Sequence, residues 1–239
     1  MRYFSHPRLP GVLCFLLCFA VPIATPAQNS GESHYRQIFE NHYVRVFRVE
    51  LPPHSQAPVY QNTHDLVWVA LSDSILSVGR SDGGSKELRL RVGDTRFFDR
   101  YEVKSVSNGA GHPYYGVLAE IRVRGLASGD CDGTGEVEKA VCGHENTIHL
   151  PDLWALVVGR ITLGGTTLSP GESMQGAAAR GDTLLVAVVP LQLRDEAGSR
   201  REGDSKLGLA AGEVRWVNEG RHQFSNIGTS FARFVTIEF

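Results

Sequence analysis

The chain has 239 residues, 42% of them hydrophobic and 21% charged, with a formal net charge of −2. That is ordinary globular material, long enough for two small domains of roughly 100 residues, each with its own core. No basic run or patch stands out, so the sequence predicts no nucleic-acid partner and no attachment to anionic lipid.

Residues 1–27 read as a secretory signal peptide. Arg2 and Arg8 precede an apolar run from Val12 to Val21, and Thr25-Pro26-Ala27 puts small residues before a polar segment. A membrane-spanning helix would need about 20 apolar residues, more than this run holds. Cys14 and Cys18 lack the preceding small residues of a lipoprotein signal. The expectation is cleavage near Ala27, no membrane anchor, and a periplasmic or secreted protein. Losing Arg2 and Arg8 takes the net charge from −2 to −4.

The rest reads as strands. Val44-Arg45-Val46-Phe47-Arg48-Val49 and Leu88-Arg89-Leu90-Arg91-Val92 alternate with period 2, the mark of half-buried strands. Leu66–Leu71 and Leu184–Val189 are continuous apolar runs suited to central strands covered on both sides. Turn signals fall at Ser81-Asp82-Gly83-Gly84, Val92-Gly93-Asp94 and Ala210-Ala211-Gly212. No window carries a long helical period. Many short strands with Gly-rich turns predict an all-β sandwich or jelly-roll barrel.

The pattern occurs twice. At an offset of 117 residues, Leu51-x-Pro53 falls on Leu168-x-Pro170, Asp65 on Asp182, and Val69-Ala70 on Val186-Ala187. Further on, Gly93-Asp94 answers Gly212-Glu213, and Lys104-x3-Asn108 answers His222-x3-Asn226. So long a period is a duplicated domain and not a solenoid unit. The expected organisation is a first barrel at 28–125, a Gly/Asp-rich linker at 126–148 and a second barrel at 149–239. The two should be alike in topology and packed through apolar strand faces.

The linker holds Cys131 and Cys142, the two cysteines left after leader removal. In an exported protein such a pair predicts a disulfide, closing a short loop worth about 2–3 kcal/mol. A metal site built from Cys131, Cys142 and His144 is the sharper reading, but its spacing is loose and it lacks a fourth ligand. Asp130-x-Asp132-Gly133 starts like a calcium loop, yet the later ligand positions do not follow.

Each repeat resembles a cupin, the small double-sheet barrel with motifs G-x5-H-x-H-x3/4-E-x6-G and G-x5-P-x-G-x2-H-x3-N. The resemblance covers roughly residues 42–123 and 149–239. It rests on the strand pattern, the Leu-x-Pro start, the Gly93-Asp94 and Gly212-Glu213 turns, and the closing Asn108 and Asn226. It implies two cupin-type jelly-roll barrels, and, in the family's usual form, three His and one Glu around a divalent metal inside each barrel.

The ligand positions are degenerate here. With Pro53-His54 standing for Pro-Gly, the first repeat places Tyr60 and Asn62 in the two His slots and Leu66 in the Glu slot, with Asp65 one position earlier. Lys104 takes the last His slot, where an ammonium would repel a dication. The second repeat offers Ala177, Ala179 and Thr183, then His222. One imidazole does not hold a metal against water, so the expectation is no metal cofactor and no standard catalytic site. If Lys104 points into the barrel, it should donate to Asp65, Tyr60 or Asn62. Beside His222, the space left by the alanines should be a cavity or be filled by Phe224 or Trp216.

The remaining histidines, His54, His64, His112 and His149, read as surface or satisfied polar groups. An unorthodox site of His54, Tyr60 and His64 would have to converge from a loop. Trp68, Trp154 and Trp216 read as core or inter-barrel packing, with a sugar platform as the sharper alternative. No Ser-His-Asp or Cys-His arrangement and no phosphate loop is present. The function expected is therefore a non-catalytic bicupin that binds a small molecule or serves structurally at the cell envelope. A homodimer through barrel faces is the expected assembly. The alternative is a metal-dependent cupin enzyme, an oxygenase or isomerase, with non-standard ligands.

Overall fold

The computed structural model describes residues 34–59, 63–123, 135–142, 150–174, 181–195, 205–220 and 222–239. In the first half, β1 (Tyr35–Glu40), β2 (Val44–Leu51), β9 (Tyr114–Ile121), β4 (Asp65–Ala70) and β7 (Thr95–Phe98) form one sheet in that order. Facing it are β3 (Gln56–Pro58), β8 (Val103–Asn108), β5 (Ser74–Arg80) and β6 (Ser85–Leu90). All pairings are antiparallel, and the two sheets enclose Val49, Leu51, Trp68, Leu76, Leu88 and Phe98.

The second half repeats this order. Here β10 (Leu153–Val158), β11 (Ile161–Leu168), β17 (Ala232–Glu238), β12 (Thr183–Ala187) and β15 (Val214–Val217) form the large sheet. The smaller one contains β14 (Ser205–Leu209), β13 (Leu191–Asp195) and β16 (Phe224–Asn226). Where β3 pairs with β8 through Gln56 and Ser107, the second half has a single bridge between Ser173 and Ser225. The expected pair of like jelly-roll barrels is what the chain forms.

The barrels meet through their large sheets. Val44, Val46, Val67, Val69, Val117 and Ile121 of the first pack in one buried cluster with Leu163, Leu184, Val186, Val235 and Ile237 of the second. This corrects the half-buried reading of β2. Val44 and Val46 face the other barrel while Phe47, Val49 and Leu51 face the interior of their own. Trp216 stacks on Phe39 and Tyr43 across this interface, at 5.9 and 5.6 Å between ring centres. Trp68 and Trp154 are buried as well, so all three tryptophans pack.

Most of the linker, Cys131 and His144 included, lies outside the described residues, as does the leader. Within it stands one short helix, α1 (Glu136–Val141), whose Ala140 and Val141 join the shared core. Cys142 caps its end, half-buried. Among the described residues no helix is long and apolar enough to cross a membrane.

Candidate functional site

The positions shared by the repeats are structural braces. Asn108 donates from Nδ2 to the carbonyls of Leu51 (3.0 Å) and His112 (2.9 Å), and its Oδ1 accepts from Ala110 N–H. Asn226 does the same with Leu168 (3.0 Å), Ser230 (2.8 Å) and Gly228. Asp65 accepts the Arg100 N–H at 3.0 Å, and Asp182 the Glu219 N–H at 2.9 Å. Asp65 also sits in phase with Val67 and Val69, which face the other barrel.

Lys104 is corrected outright. It is exposed on β8, and its backbone carbonyl accepts the Val59 N–H. It sits where β8 slips against β5, between the Gly79↔Ser105 and Arg80↔Val103 pairs. No inward cation stands at this position. Tyr60, Asn62, Ala177 and Ala179 lie outside the described residues.

What does converge is a cavity of about 670 Å³ at one end of the first barrel. Phe47, Leu66 and Leu118 form its apolar depth, with Val59 at the side and Tyr35 on β1. Its polar part follows from strand register. Arg45 on β2 lies opposite Glu120 on β9, and Glu120 lies opposite Leu66 on β4. The carboxylate missing from position 66 is thus supplied one strand away. His64 Nδ1 is 2.7 Å from Glu120 Oε1 and 3.0 Å from Thr63 Oγ1. Arg45 reaches Glu120 Oε2 at 3.7 Å and Glu40 Oε2 at 3.6 Å. Arg122 donates to Glu40 and to the Asn41 carbonyl. Burial pushes the Tyr35 hydroxyl's ionisation upward.

These groups can bind and orient a polar head over an apolar floor. With the carboxylate on Nδ1, Nε2 is the ring nitrogen of His64 left to meet a ligand. A divalent metal is a different matter. Leu66 replaces the acidic ligand, Lys104 points away, and among the described residues no three His, Cys, Asp or Glu side chains are grouped to hold an ion. The residues do not fit the metal of the family's usual form.

In the second barrel His222 is held, not open. Its Nδ1 contacts Asp195 Oδ2 at 2.5 Å and its Nε2 the Asn218 carbonyl at 2.7 Å. Both ring nitrogens are therefore engaged by groups of the protein. Phe224 stacks under the imidazole at 6.2 Å and is itself buried against Phe234. An aromatic therefore fills space beside His222.

Sequence reasoning missed Arg45 and Glu120 and set His64 aside as ordinary. The available signal was a charged residue on the inward phase of β2 and β9, legible once both faces of those strands are known to be covered.

No protein-family model matches the sequence, and no curated protein matches it either. Solved structures do. AerE from Microcystis aeruginosa superposes with a TM-score of 0.57 at 13% identity, over 85% of this chain and 96% of that one. A salicylate 1,2-dioxygenase from Pseudaminobacter salicylatoxidans gives 0.58 at 10%, over 89% and 78%. Vicilin from Corylus avellana (hazelnut) gives 0.56 at 12%, over 87% and 84%. At such identities the likeness is one of fold: the chain shares the two-barrel jelly-roll fold of these structures.

Proposed function

We propose that this is an exported bicupin whose first barrel binds a small organic molecule without a divalent metal. One observation carries the reading: the mouth of that barrel is a cavity of about 670 Å³ with an apolar floor and a converging Arg45–Glu120–His64 group. This is the size and make-up of a small-molecule site. The leader at 1–27, periplasmic or secreted location, the domain limits 28–125, 126–148 and 149–239, and a Cys131–Cys142 disulfide belong to the same proposal. So does self-association through an outer face, where Leu153 and Val157 of edge strand β10 are exposed.

The test is elemental analysis of the exported protein, together with native mass spectrometry of what it carries. Sub-stoichiometric metal and a small organic adduct are expected. One iron, manganese, nickel or zinc per chain would overturn the reading in favour of a metal-dependent oxygenase or isomerase. A thiol assay on the native protein should find neither Cys131 nor Cys142 reactive.

A further inference from the structure

We infer that the free edge of β10 pairs with the β10 edge of a second copy of this chain, antiparallel, about a twofold axis through Ala155. The inference rests on the proposed self-association and gives it a surface and a register. β10 is the outermost strand of its sheet, with β11 on one side only. The Thr167 N–H donates to the Asp152 carbonyl at 2.8 Å, which fixes the phase of the β10–β11 ladder. Bonded positions alternate along an antiparallel pair, so Trp154, Leu156 and Val158 bond to β11. Leu153, Ala155 and Val157 therefore turn their N–H and C=O groups to the open edge. The same three residues are exposed, Leu153 at 63% and Val157 at 67%.

The like strand of the first barrel is guarded. β1 carries exposed Arg36 and Glu40, and its register shifts between Gln37 and Phe39. Charges and bulges are what keep an edge from pairing. β10 reads Leu-Trp-Ala-Leu-Val-Val, with no charge, no proline and no register shift. Symmetry then sets its partner. An axis at Ala155 places Leu153 opposite Val157 of the second copy, because both lie two positions from the centre. Each of the three outward residues meets its opposite in a bonded pair with two hydrogen bonds, and the apolar side chains meet one another. At the strand ends, exposed Asp152 comes diagonal to Arg160 of the second copy, opposite charges within an arginine's reach. So small an interface implies a dimer with a Kd of about 1–100 μM.

The experiment is sedimentation velocity of the exported full chain from about 1 to 200 μM, where a monomer–dimer equilibrium is expected. Val157→Lys puts a charge on the apolar pair. Ala155→Pro removes the central edge N–H and takes no bond from β11. Each should weaken the dimer at least about 10-fold and leave the circular dichroism of the monomer unchanged. Ala155→Cys should cross-link two copies under mild oxidation. Leu153→Cys, whose two copies would stand about 13 Å apart, should not.

A monomer throughout that range overturns both this inference and the self-association. So does a monomer recovered one-to-one with some other chain on the edge. A dimer that both variants leave intact, or one that cross-links through Leu153→Cys and not Ala155→Cys, keeps the self-association and overturns the edge pairing. Should Ala155→Pro not fold, Val157→Lys decides. Ligand binding in the first barrel is independent of each result.

Discussion

His54 adopts φ of +54°, the left-handed region, at the position where the second barrel has Gly171 with φ of +79°. The two turns share a backbone conformation, and only the second carries the residue that adopts it freely. A side chain there costs about 1–2 kcal/mol, partly offset because glycine loosens the unfolded chain. His54→Gly should raise stability by about 0.5–1 kcal/mol, seen as a higher urea midpoint at unchanged slope. Arg96 is a second residue at odds with its place. It is 1% exposed among Trp68, Phe98 and Leu76, and its Nε and Nη2 have no hydrogen-bond partner. Asp94 is 3.9 Å away, and burial pulls the guanidinium's pKa down against that carboxylate. The cavity beside it, about 10 Å³, holds one water at most, so unlike Arg45 it faces no ligand space. Replacing Arg96 by Met and Asp94 by Asn together should be neutral or stabilise by up to about 3 kcal/mol, whereas Arg96→Met alone leaves the buried Asp94 carboxylate uncompensated and should cost about 3 kcal/mol. A clear loss of stability in the double variant, read from urea midpoints, would show that the pair holds the barrel. Tyr114 gives the pH limb. Burial, first of all, raises its pKa above the usual value, while Trp68 donates to its oxygen. An unfolded tyrosine ionises near pH 10. The Tyr114 contribution is therefore whole below about pH 10 and falls as pH rises beyond it, because the unfolded chain releases its proton first. Tyr114→Phe should flatten that alkaline decline in denaturation midpoints taken between pH 8 and 11.

At the scale of elements, each barrel's Gly-acid turn is tucked under an arginine of the other. Arg48 donates to the Ala211 carbonyl, and a Cβ at Gly212 would lie 2.7 Å from its Nη2; a Cβ at Gly93 would lie 2.5 Å from Arg233 Cζ. Both glycines also have positive φ, +75° and +86°. Gly212→Ala should cost about 2 kcal/mol, from the left-handed backbone and the displaced arginine together. An Arg48→Ala background should recover only the arginine's share of the crowding, because Leu71 Cδ1 would lie 2.6 Å from the same Cβ; a double-mutant cycle measures that share. These turns were legible because glycine followed by an acid marks a tight turn in sequence. The strands were legible too, from their alternation. Which face each alternation buries was not. Period 2 assigns residues to two sides but does not say that Val44 meets another barrel while Phe47 meets its own. For the same reason Arg45 and Glu120 passed as solvent-side charges, though register sets them inside. Lys104 failed for a local reason: the β8 slip against β5 turns it outward, and a motif count has no means of registering a slipped pair. The six residues of α1 are too few to show a helical period.

For the whole molecule, the shared core decides how the barrels fail. The inter-barrel cluster draws on both large sheets, on α1, and on an aromatic group in which Trp216 and Phe239 of the second barrel pack against Tyr43 of the first. Neither large sheet keeps its apolar outer face covered if the other barrel unfolds, so exposing it alone would cost about 25 cal/mol per Å². The two barrels should therefore unfold in one transition although each encloses a separate interior of its own. Trp216→Ala sits at the seam and removes a ring stacked between Phe39 and Tyr43. It should cost about 2–4 kcal/mol while circular dichroism and the fluorescence of the remaining Trp68 and Trp154, one buried in each barrel, still lose their native signals at one midpoint. Two separated midpoints in the unaltered chain would mean that the barrels are independent and that the interface serves only to hold them side by side. If the transition is single, ligand bound in the first barrel stabilises the second as well, because anything that binds only the folded state raises the stability of the whole cooperative unit.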